Sequence, residues 1–90
     1  MSGGNWKDLY LAAQEGNLAI VRYHVEMGVD VNHAHPEFMS TPLVAAILAG
    51  HQEVAQFLLD NGADPDLMSD FDDVTPVQAA EQVGMSLRLR

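Results

Sequence analysis

The chain has 90 residues, no cysteine, and a formal net charge of −9 from 13 acidic and 4 basic side chains. That length is one domain, and the missing thiols exclude a disulfide framework and every cysteine-based metal site. The charge argues against nucleic acid and anionic membrane, whose phosphates it repels; it either serves solubility alone or attracts a basic protein partner.

From the N-terminus, MSGGNWKDLY has no basic head followed by an apolar run, so no signal peptide is read there. Leu9 to Asn32 reads LYLAAQEGNLAIVRYHVEMGVDVN, with Gly16 inside it and GVDVN at its end, and the turn-rich segment His33–Ser40 follows. Thr41 suits a helix N-cap and Pro42 the first helical position, where the missing N–H costs nothing. These marks predict a helix over Pro42–Ala49, apolar nearly all round, stopped at Gly50. A second helix is predicted over Gln52–Asn61, with Val54, Ala55, Phe57, Leu58 and Leu59 apolar and Glu53, Gln56 and Asp60 polar, stopped at Gly62. A second turn-rich segment, Leu67–Val74, leads to Thr75-Pro76-Val77 and a helix ending at Gly84, where Gln78 is placed to close a capping box with Thr75. The longest apolar run, PLVAAILAG, is too short to cross a bilayer, so a cytoplasmic, soluble chain is expected.

A shift of 34 positions lays the chain on itself: Thr41-Pro42-Leu43 on Thr75-Pro76-Val77, Ala45-Ala46 on Ala79-Ala80, and Gly16 on Gly50 and Gly84. GVDVN at Gly28–Asn32 likewise meets GADPD at Gly62–Asp66. Helices this short need packing to persist, and one pair cannot cover its own inner helix, whereas stacked pairs can.

With TPLVAA, Gly-His, the V…LL ridge and Gly-Ala-Asp in place, the chain resembles the ankyrin-repeat family over roughly Trp6–Gly84. The resemblance implies an all-α solenoid of helix-turn-helix repeats, about two and a half to three of them, with β-turn fingers at the junctions. One domain, 1–90, is expected to divide into an N-terminal capping repeat at 5–32, a full repeat at 33–66 and an incomplete repeat at 67–90. Three departures stand out. Val44 and Gln78 replace the family's histidine after Thr-Pro-Leu, which removes its bond to the threonine network. The extra residue of the period falls in the fingers. After Gly84 only MSLRLR remains, where Leu87 and Leu89 could begin an outer helix. The flank of the Gln52–Asn61 helix is then covered by a short cap or by a second chain, the latter making a homodimer.

Carried over position by position, the family's concave groove would be lined by Gln14 and Glu15, Leu48 and Ala49, and Gln82 and Val83. The fingers would add Phe38, Phe71, Asp70, Asp72 and Asp73. Leu48 is read either as an anchor or as a residue buried between inner helices. Phe38 and Phe71 are read as anchors or as rings tucked under their own turns, and Met39 and Met68 share that ambiguity. No Lys or Arg stands between Arg22 and Arg88, so acidic side chains dominate the middle of the chain.

The bland alternatives weigh more for the metal-like motifs. In DPDLMSDFDDV, Met68 and Ser69 break the calcium-loop order, and Asp64 belongs to the turn after the helix stop. His33 and His35 alone are too few for zinc. His51 fits the Gly-His capping position and reads as structural, whereas His24, in place of the later Leu58, is expected to face water at an end repeat. No nucleophile elbow, phosphate loop or enclosed acid–base pocket is visible, so neither an enzyme nor a cofactor protein is expected. The expected function is protein binding through groove and fingers, in the sharper form as an inhibitor or immunity-type protein against a basic partner. The alternative is an assembly element that self-associates through its C-terminal end.

Overall fold

In the computed structural model, residues 5–34, 40–69 and 73–88 are described. Their helices are α1 (Asn5–Glu15), α2 (Leu18–Glu26), α3 (Pro42–Leu48), α4 (Gln52–Asp60) and α5 (Pro76–Val83). The two helices of the central unit end one residue short of the sequence expectation.

The local signals work as their chemistry dictates. Asn17 Oδ1 accepts the Ile20 N–H at the start of α2, and Thr41 Oγ1 accepts the Val44 N–H at the start of α3. At α5 the full box closes: Thr75 Oγ1 accepts from Gln78 N–H while Gln78 Oε1 accepts from Thr75 N–H. Gln78, which displaced the family histidine, therefore still serves its threonine. Each inner helix stops alike, with the glycine in the left-handed region and the residue after it reaching back five positions. Asn17 donates to the Ala12 carbonyl, His51 to Ala46, and Met85 to Ala80.

Packing makes two layers. α1 lies on α3 and α3 on α5, forming the inner row, while α2 lies on α4 outside them. Leu9, Val21, Leu43, Val44, Ile47, Val54 and Leu58 are fully buried, and α3 is buried from Pro42 through Ile47. Ala13, Ala46 and Ala79 have no exposed surface, and their small side chains let neighbouring inner helices approach closely. The structure is an all-α solenoid of paired helices, about two and a half to three repeats long. None of the helices among the described residues is long and apolar enough to cross a membrane.

Polar groups repeat with the helices. Asp30 Oδ1 accepts the Asn32 N–H, and Asp64 Oδ1 accepts the Asp66 N–H at the same 2.9 Å. Asn32 joins one turn to the next: its Nδ2 donates to the Gly62 carbonyl at 3.1 Å, and its Oδ1 accepts the Asp64 N–H at 2.8 Å. Asp64 is thus engaged in its own turn.

Two expectations are corrected here, for His24 and for the segment after Gly84, and a third, for His51, is made specific. His24 does not face water; it is only 7% exposed, because the fold buries this position and Leu58 occupies its counterpart one repeat on. The water-facing side of α2 carries Ile20 and Tyr23 instead, and Met27 is exposed at its C-cap. His51 stands at the α4 N-cap but its side chain makes no capping bond; its ring packs over Gly16, leaving no room there for a methyl group. Finally, residues 85–88 do not begin an outer helix. Met85 and Leu87 pack half-buried against the core, and Gln52 and Gln56 of α4 bond to the main chain of Ser86 and Arg88. A short strap covers that flank of α4, while Leu89 lies outside the described residues.

Candidate functional site

Stacking aligns the ends of the inner helices. Gln14 and Glu15 close α1, Leu48 closes α3, and Gln82 and Val83 close α5; their 34-residue spacing puts them at equivalent places in adjacent repeats. All are exposed, as is Ala49 beside them. Leu48 ends the otherwise buried α3 at 36% exposure, and Val83 is 42% exposed. The row is therefore polar at one end, apolar in the middle and mixed at the other.

The second finger begins and ends within the described residues. Ser69 and Val74 form an antiparallel bridge, with Ser69 N–H donating to the Val74 carbonyl at 2.8 Å. Asp73 N–H donates to the Ser69 carbonyl at 2.7 Å, and Asp73 sits at φ 58. That left-handed geometry suits the short polar side chain of Asp better than most residues. Ser69 and Val74 are buried, so the base of the finger is pinned to the core and Asp73 is held outward and exposed.

Asp73, Val74, Gln78, Glu81 and Gln82 line one shallow cleft between this base and α5. Two of the expected positions, Asp73 and Gln82, thus share a surface. Glu81 joins them and was missed by the sequence reading; its place immediately before Gln82 on an exposed helix end was the available signal. Phe38, Asp70, Phe71 and Asp72 lie outside the described residues, as do His35 and Met39. Met68 is exposed, and His33 lies against Trp6 with ring centroids 5.0 Å apart. The exposed Leu11, Ile20, Tyr23 and Met27 were not singled out either. Their counterparts one repeat later are Ala45, Val54, Phe57 and Asn61, so register alone marked the first three as stacking positions.

Similar proteins agree with this geometry. A family model described as "Ankyrin repeats (3 copies)" matches residues 4–85. A solved ankyrin repeat domain from Acinetobacter baumannii AYE is similar with a TM-score of 0.77 and 36% identity, over 84% of this chain and 40% of that one. The ARF GTPase-activating protein GIT1 of Homo sapiens is 36% identical over 78 residues, which is 87% of this chain and 10% of that protein. The Dauer abnormal formation protein 25 of Caenorhabditis elegans is 42% identical over 55 residues, 61% of this chain and 14% of that protein. The chain thus matches only a small part of the length of these curated relatives.

Proposed function

The chain belongs to the ankyrin-repeat family, a family of non-catalytic protein-interaction scaffolds, and from that premise we propose that it binds a basic protein partner. The contact surface is the row of inner-helix ends together with the fingers. Leu48 is the apolar anchor in its middle. Gln14 and Glu15 flank it on one side, and Gln82 and Val83 on the other. Asp73, with Asp70 and Asp72, steers the partner electrostatically, and Phe38 and Phe71 extend the apolar contact. In its sharper form the role is inhibitory, with a small acidic module capping a basic protein.

The observation that carries this reading is the exposure of Leu48 at the end of a buried helix; Gln82, its counterpart one repeat on, lines the cleft that also holds Asp73 and Glu81. Self-association through the C-terminal end is less favoured, because the chain's own strap already covers the α4 flank it would use. The test is affinity capture of a partner, followed by titration in a salt series. Leu48→Glu should weaken binding about tenfold or more, the scale of a central anchor, without altering the melt. Asp73→Asn keeps the left-handed backbone and removes one charge, and should slow association roughly threefold at low salt. Binding indifferent to both substitutions and to salt would reject this surface.

A further inference from the structure

The flank of α4 that a further outer helix would cover holds a short piece of chain, and the way it is held indicates what else would fit. Gln52 Nε2 donates to the Ser86 carbonyl at 2.7 Å, and Gln56 Nε2 donates to the Arg88 carbonyl at 3.1 Å. One turn of helix separates the two glutamines, a rise of about 6 Å, which matches the roughly 6.6 Å spanned by two residues of extended chain. Gln56 Oε1 also accepts the Arg88 N–H at 2.8 Å, so one carboxamide pairs with the main chain on both sides as a neighbouring strand would. These bonds recognise backbone, not side chains. Met85 and Leu87 are half-buried against the core, while Ser86 and Arg88 are exposed. The surface accepts an extended segment with apolar residues at alternate places.

Charge narrows the occupant. Arg88 Nη2 lies 3.7 Å from Asp60 Oδ2. Beyond it a cleft of about 900 Å³ opens between the end of α4 and the following turn, with Asp60, Asp64 and Asn32 in its walls. Arg88 is the cation among the described lining residues. It is weakly held, since the pair is 79% and 54% exposed and such pairs contribute little.

We infer that the α4 groove and this cleft dock an extended, arginine-bearing segment of the partner, and that residues 85–88 occupy the same groove as an internal competitor. This rests on the basic-partner reading above and adds a second contact surface on the opposite layer of the solenoid. The tethered strap acts at an effective concentration on the order of millimolar, so a free peptide meets strong competition until the strap is loosened.

The probe is a fluorescent synthetic peptide, MSLRLR, with MSLELE as its control. The 90-residue wild-type chain is compared with its Leu87→Gly/Arg88→Gly variant. The loosened chain should bind MSLRLR about tenfold or more tightly than wild type, adding Gln56→Ala should reverse most of that gain, and MSLELE should bind neither. Equal affinity of loosened and wild-type chains, or indifference to Gln56→Ala, overturns the proposal. If the loosened chain loses its helical circular-dichroism signal, wild type decides by NMR: saturating MSLRLR must shift the Arg88 amide as it leaves Gln56. An unmoved Arg88 amide overturns the proposal equally. A captured partner that binds the Gln56→Ala chain with undiminished affinity and an unchanged salt slope removes this groove and leaves the inner-helix surface standing. Loss of all salt dependence removes the basic-partner reading beneath both.

Discussion

His24 is buried with its Nδ1 unpartnered among the described residues, at a position where the next repeat places Leu58. An unsatisfied buried polar atom costs about 1–3 kcal/mol, so His24→Leu should raise unfolding stability by roughly 1–2 kcal/mol. Chemical denaturation measures this, and a lower midpoint would mean that the imidazole has a partner after all. Gly16 is a second sensitive point. A methyl group there would lie 2.5 Å from His51 Nδ1, and the backbone is left-handed at φ 79. Gly50 shares the conformation but has open space around it. Gly50→Ala should therefore cost about 1 kcal/mol from backbone strain alone, and Gly16→Ala about 2–3 kcal/mol. In the Gly16→Ala/His51→Ala double mutant the steric part should vanish, leaving coupling that a double-mutant cycle reads directly. Purely additive losses would refute the ring-over-glycine contact.

At the scale of elements, helix starts and stops are the most legible part of the sequence. Thr-Pro gives the N-cap and first turn, and the glycine gives the stop. Thr75→Ala should destabilise by about 1 kcal/mol, since it removes the hydroxyl that holds one half of the box. Gln78→Ala should recover part of the coupling in the same cycle, and a neutral Thr75→Ala would leave the box without energetic weight. The link between turns is less legible, because an asparagine in GVDVN looks like any turn residue. Asn32 nevertheless makes two bonds to the following turn, through Gly62 and Asp64. Asn32→Ala should cost about 1–2 kcal/mol, more than the loss of an ordinary exposed asparagine. If denaturation finds no change, the turns are held together by helix packing alone.

For the whole molecule, charge and stacking oppose each other. The chain carries −9, and the middle of it has no cation to offset the acidic side chains. Salt screens that repulsion, so the melting temperature should rise by a few degrees between low salt and about 0.5 M NaCl. A falling melting temperature would show that ion pairs such as Arg88–Asp60 outweigh the repulsion. Arg22 adds a contact of another kind between repeats, its guanidinium carbon 5.7 Å from the Phe57 ring centroid.

The sequence alone determined the repeat, its period, the helix boundaries to within a residue in the central unit, and the alignment of Gln14, Leu48 and Gln82 along one edge. Each follows from local backbone chemistry or from the need of a short apolar helix for a like neighbour, and both are written residue by residue. Tertiary structure decided the fate of His24 and His51, the shared cleft of Asp73 and Glu81, and the strap that residues 85–88 lay along α4. Those outcomes depend on which surface arrives opposite a given side chain. A pattern along one segment does not carry that information, because the neighbour lies some thirty residues away for His51 and the strap, and across a turn from the helix for Asp73.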